Sequence, residues 1–184
     1  MQFAGQRTDM DLNPIGEPIN VLVRLSDDIL PEPGAILLTG ITPQQCLEMG
    51  VPEHAFAAQI EQVFSEPGTI GVGYNTIRFD DEITRFMFWR NLIDPYAREW
   101  QNQCGRWDLL DVVRMTYALR PDGITWPVDS EGKPTNRLEL LSSQNGLEHT
   151  KAHDALSDVE ALISVTQLIK QNQPQLYEYL LKMR

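Results

Sequence analysis

This sequence is poor in cysteine, in positive charge and in long apolar runs. Two cysteines in 184 residues, Cys46 and Cys104, are too few and too far apart for a disulfide framework or a zinc site. No stretch approaches the roughly 18 apolar residues of a membrane helix, because Asp, Arg or Gly breaks each run. The opening Met1-Gln2-Phe3-Ala4-Gly5-Gln6-Arg7 has no signal-peptide or transit-peptide pattern. These absences point to a reduced, cytoplasmic protein with no membrane partner. Against 15 Lys and Arg stand 26 Asp and Glu, a net charge of −11, which argues against a sequence-independent grip on a phosphate backbone. It leaves open acids that converge on divalent metals. What is present is ordinary: 42% apolar and 22% charged residues, in a length able to bury about 70% of its unfolded surface without a staple.

Alternation predicts strands over Ile19–Leu25 and Gln2–Thr8, joined through Asn13-Pro14-Ile15-Gly16. Pro31-Glu32-Pro33-Gly34 interrupts the pattern before a compact apolar stretch at Ala35–Leu38. Thr42-Pro43-Gln44-Gln45 is a helix start, with Thr42 as cap and Gln45 reaching back. Further helices are expected at Glu53–Phe64, Asp80–Asn91, Asp108–Leu119, Arg137–Gln144, Asp154–Gln171 and Gln175–Lys182, and a buried strand at Thr69–Tyr74. Residues 121–136 read as a loop. The class is α/β or α+β.

Three acidic clusters could carry chemistry. Asp80-Asp81-Glu82 follows the Thr69–Tyr74 strand, where ligand sites of open α/β sheets form; capping the next helix is the plainer use. His153-Asp154 opens an apolar helix that carries Asp158 one turn in, so His153 is either a base over a helical metal ligand or a surface residue. Asp9-Met10-Asp11 has the spacing of a carboxylate pair but sits in a polar turn between strands, and a solvated turn is expected.

Taken together, Asn75-x-x-x-Phe79-Asp80 and, some seventy residues on, His153-x-Ala155-x-x-Asp158 resemble the second and third motifs of the DEDDh exonucleases. Longer blocks narrow the resemblance to bacterial exonuclease I: Pro33 to Gln44, Gly73 to Arg85, Arg106 to Asp111, and Tyr117 to Pro121. The resemblance implies a ribonuclease H-like α/β fold with a mixed sheet flanked by helices. It implies 3′→5′ degradation of single-stranded DNA to nucleoside 5′-monophosphates, with roles in DNA repair and recombination. Two Mg2+ ions, for which Mn2+ can substitute, would be held in part by Asp80 and Asp158, with His153 as general base.

The family's first motif, Asp-x-Glu on the opening strand, is not in this sequence. The expectation is that residues 1–184 are a partial exonuclease domain. The first strand would lie upstream of Met1, the family's SH3-like and helical domains would be absent, and the chain as written would have little activity. Substrate contacts implied by the resemblance are Asn75, Phe79, Arg85, Tyr96, Trp100 and Arg137, with Thr39 and Gly40 in a loop receiving the 3′ end. From the residues alone, Tyr96 and Trp100 fall on one face of a short helix begun by Asp94-Pro95 and could be core; Arg137 could be a solvated charge, and Gly40 could serve a tight turn. The implied partners are single-stranded DNA and, through Arg120 or with Arg120 merely exposed, the acidic tail of single-stranded DNA-binding protein. The intact family is expected to be monomeric. Competing readings are a catalytically dead binding module and an RNA-directed exonuclease of the same superfamily.

Overall fold

Short-range signals set most of the elements. In the computed structural model, which describes residues 2–147 and 155–184, β1 (Gln2–Gly5) pairs antiparallel with β2 (Ile19–Leu22), Gln2 opposite Leu22 and Gly5 opposite Ile19. The intervening turn is closed by Asp9, whose carboxylate accepts hydrogen bonds from the Asp11 and Asn13 backbones and the Asn13 amide. The Asp9-Met10-Asp11 segment is thus an exposed turn, as expected.

Two short helices follow, α1 (Pro33–Thr39) and α2 (Pro43–Met49). Thr42 caps α2 in a reciprocal box: the Gln45 backbone N–H donates to its hydroxyl, and its own N–H donates to the Gln45 side chain. Thr42→Ala is expected to cost about 0.5–2 kcal/mol of stability, read as a lower urea midpoint. The compact apolar stretch at Ala35–Leu38 forms helix α1 but buries nothing: Leu37 is 87% exposed.

Then α3 (Glu53–Ser65), β3 (Ile70–Gly73) and α4 (Asp80–Arg90) lead to β4 (Gly105–Asp108), which pairs parallel with β3, Gly73 opposite Asp108. The chain continues into α5 (Leu109–Leu119), α6 (Leu138–Gln144), α7 (Ala155–Asn172) and α8 (Pro174–Lys182). The α/β class stands. Among the described residues the strands form two separate two-stranded sheets, β1-β2 and β3-β4. Each has its own core. Val23, Phe56, Ile60, Met87 and Phe88 pack under β1-β2; Trp107, Leu109, Val113, Leu141, Val165 and Ile169 pack against β3-β4.

Two expectations are corrected here. Residues 69–74 were expected to form a buried strand, but Val72 is 38% exposed and the rest of β3 is half-buried. The strand β4 is an addition: its four residues run straight into α5, so the helical pattern masks it. Cys46 and Cys104 are separate buried thiols, and no described helix is long and apolar enough to cross a membrane.

Candidate active site

The stretch between β3 and α4 is shaped by Asp108. Its carboxylate accepts from the backbone N–H groups of Asn75 (2.8 Å) and Ile77 (3.2 Å), and caps α5 through Leu110 (3.0 Å). One buried acid thus fixes the turn after β3 and the head of α5. Asn75 adopts a positive φ of 64°, a conformation Asn tolerates better than most residues. Tyr74 donates its hydroxyl to the Asn136 carbonyl, and burial pushes that phenol up from its ordinary pKa.

Helix α4 starts at Asp80 without a side-chain cap; Phe79 occupies the cap position. Neither Asp80 nor Asp81 therefore performs the plain capping role. The two neighbours diverge. Asp81 turns inward, 3% exposed, and accepts from Arg98 at 2.5 Å and Arg106 at 2.9 Å. Burial works against its charge, yet those two guanidinium bonds prevail and hold its carboxyl below the usual range. Arg106 also meets Glu99 at 3.1 Å, and Glu99 accepts a bidentate pair from Arg85 at 2.8 and 2.9 Å. A five-member ion network therefore ties the first half of α4 to β4 and to the turn between them.

Asp80 faces the other way, into a groove of about 1150 Å³ that it shares with Asp158 of α7. Its carboxyl is pushed above the ordinary Asp value by desolvation and by the Asp81 and Asp108 carboxylates. Asp80 and Asp158, the two predicted metal-binding carboxylates, stand on different elements and both line this groove. His153 lies outside the described residues. Among those residues no group of three or more His, Cys, Asp and Glu is arranged to hold a metal ion. Two carboxylates are an incomplete donor set for Mg2+, which favours six oxygens in octahedral array.

The predicted substrate contacts are spread more widely. Phe79 lines the groove and is 61% exposed. Arg85 lies 5.1 Å from the centre of the Tyr96 ring and is held there by Glu99. Tyr96 and Trp100 are both largely exposed, which removes the core-packing alternative. They are not on one helical face, however. A three-residue 3-10 turn at Ala97–Glu99 separates them, because Asp94 accepts from the Tyr96 and Ala97 N–H groups and Trp100 leaves helical geometry. Arg137 holds the cap position of α6, exposed, 3.9 Å from Glu139. Thr39 ends α1, bonded to the Ala35 carbonyl, and Gly40 closes it with φ 70°, so the turn role of Gly40 is real. Arg120 is exposed just beyond α5 and donates to the adjacent Leu119 carbonyl. The residues that sequence reasoning missed are Arg98, Glu99 and Arg106; no motif marks them, since their partners lie 7 to 25 positions away.

Comparison with known proteins places this geometry in a class. A family model described as Exonuclease matches residues 1–166, and the chain belongs to that family. Exodeoxyribonuclease I of Haemophilus influenzae is 53% identical over the whole of this chain. A crystal structure of Escherichia coli exonuclease I in complex with a dA16 oligonucleotide superposes with a TM-score of 0.96 at 53% identity, over 98% of this chain and 39% of that one. A structure of an ExoI/SSB-Ct complex gives 0.95 at 52% identity, over 98% of this chain and 39% of that one. The fold is accordingly the ribonuclease H-like exonuclease fold. The chain spans about 39% of the length of the Haemophilus relative.

Proposed function

We propose that this chain is the metal-binding half of a 3′→5′ exodeoxyribonuclease site acting on single-stranded DNA. The observation that carries the reading is that Asp80 and Asp158, from elements far apart in sequence, line one groove of a chain that belongs to the exonuclease family. Asp80, Asp158 and two further carboxylates would hold divalent ions, which supply an activated water and charge stabilisation at the leaving 3′ oxygen. His153 would serve as the general base of that site, accepting a proton from water. Arg85, Tyr96, Trp100 and Phe79 receive the strand by stacking and charge, Asn75, Arg137, Thr39 and Gly40 flank its 3′ end, and Arg120 contacts the acidic tail of single-stranded DNA-binding protein.

The test is Mg2+-dependent release of nucleotides from a 3′-labelled single-stranded oligonucleotide, by the chain as written and by a form extended with an Asp-x-Glu strand. Release only by the extended form is expected. No release by either form would leave a DNA-binding module without chemistry, and faster cleavage of short RNA would overturn the substrate assignment. Trp100→Ala is expected to weaken oligonucleotide binding by about 1–3 kcal/mol, measured by fluorescence anisotropy without metal, with the unfolding midpoint unchanged.

A further inference from the structure

An acid stands between the two exposed aromatic side chains, Tyr96 and Trp100. Glu99 sits in the 3-10 turn that Asp94 begins, and its backbone N–H donates to the Tyr96 carbonyl at 2.9 Å. Its carboxylate is held from two sides. Arg85 donates Nε and Nη2 to it at 2.8 and 2.9 Å, and Arg106 Nε lies 3.1 Å away. Arg106 is anchored in turn by Asp81, and Asp81 by Arg98. The Glu99 side chain is 12% exposed and that of Arg85 22%, so water screens this pair less than it screens a surface ion pair. The Nε–Nη2 edge that Arg85 gives to Glu99 is an edge with which arginine grips a phosphate in a fork. That edge is already taken. What stays open beside it is the Tyr96 ring, with the Arg85 guanidinium seated over it at 5.1 Å from the ring centre.

From this arrangement, and resting on the proposed strand contacts of Arg85, Tyr96 and Trp100, we infer that Glu99 is a specificity-determining residue: by occupying Arg85 it makes this surface select ligands with unstacked bases over ligands that offer phosphate charge alone. Backbone charge supplies the sequence-independent part of nucleic-acid affinity, and a duplex or an inorganic polyanion supplies it as well as a single strand does. An arginine closed by a carboxylate withholds that contribution, because a phosphate must displace Glu99 and then lie beside it. Single-stranded bases keep their contribution, since they stack on Tyr96 and Trp100. Duplex bases are already stacked on one another and present their phosphates instead. Glu99 therefore weakens the wrong ligand more than the right one, which is what discrimination requires. It acts through Arg85, as a positioning residue. The charges agree: the guanidiniums of Arg85, Arg98 and Arg106 face the carboxylates of Asp81 and Glu99, so neutralising Glu99 raises the network from one net positive charge to two.

The experiment titrates the 184-residue chain, without metal, into a labelled single-stranded oligonucleotide and into a labelled blunt duplex of the same length, with inorganic polyphosphate as competitor. Glu99→Gln keeps the shape and removes the charge. It is expected to tighten duplex binding at least about tenfold and single-strand binding by less than about threefold, and to make polyphosphate a stronger competitor. Adding Arg85→Ala to Glu99→Gln should abolish the duplex gain, whereas a merely structural loss would weaken every ligand together. Glu99→Ser, which also removes the charge, repeats the test where Gln disturbs the fold, and circular dichroism reports the fold of each variant. Equal tightening of both ligands, or unchanged duplex affinity in a folded variant, would overturn the selection. Failure of the strand contacts reads differently: the parent chain itself would bind the single strand no better than the duplex, and the selection would fall with them. No cleavage is measured, so these outcomes are separate from failure of the nuclease reading.

Discussion

Asp81→Ala is expected to destabilise the chain by about 3–5 kcal/mol at neutral pH, a fall of roughly 6–20 °C in unfolding midpoint for a domain of this size. The magnitude comes from what remains behind. Asp81 and Arg98 are both 5% exposed as side chains, so removing the acid strands a buried guanidinium whose Nε already lacks an acceptor. Arg106, one-third exposed, can rotate toward Glu99 and solvent, which limits the loss. The pH dependence has a definite sign. The folded-state pKa of Asp81 is depressed, so its contribution is full above the unfolded Asp value and disappears as pH falls through the folded value. The gap between the parent and Asp81→Ala should close on acidification. A gap that persists unchanged in acid would mean that packing, rather than the ion pair, holds this corner. Thermal unfolding followed by circular dichroism at neutral and acid pH measures both points.

The second large effect concerns chemistry. In a form carrying the Asp-x-Glu strand, Asp158→Ala is expected to lower cleavage by more than the ~10–100-fold that losing an outer-shell partner costs. The lost group is itself a ligand under the proposed reading. His153→Ala should reduce turnover by about 10²–10⁴-fold while leaving oligonucleotide affinity intact, since its role is to accept a proton. The two variants are separable by metal titration. Asp158→Ala should shift the Mg2+ requirement upward, and His153→Ala should leave it in place. Normal cleavage by Asp158→Ala would overturn the metal assignment.

How much of this was legible in the sequence depends on the range of the interaction. The Thr42 box, the Asp9 turn and the Asp108 cap of α5 are local, decided within four residues, and periodicity marks the bodies of the longer helices. That Asp80 and Asp158 belong to one site was legible only through motif resemblance, since nothing within either segment says that the two carboxylates line one groove. Asp81 shows the limit plainly. It sits next to Asp80 with the same chemistry, yet one is buried in an ion network and the other faces a groove. That difference is made by Arg98 and Arg106, 17 and 25 positions away. The Tyr96–Trp100 spacing misled for a backbone reason. Four positions align side chains in an α-helix, but the segment between them is a 3-10 turn and Trp100 itself has non-helical φ and ψ of −151° and −27°. Strand β4 was hidden because four residues against one parallel neighbour leave little periodicity to read.

The grip of Glu99 on Arg85 bears on ionic strength. A free arginine that meets a phosphate releases a counterion, and single-stranded nucleic acid loses affinity with salt by a slope of about 0.7 per such contact. Arg85 is already neutralised by a bidentate carboxylate and rests against the Tyr96 ring. A phosphate arriving there exchanges one anion for another, and few counterions leave. Affinity of this chain for an oligonucleotide should therefore respond to salt more weakly than its nearby arginines imply. Base stacking, which salt hardly screens, then supplies the larger share.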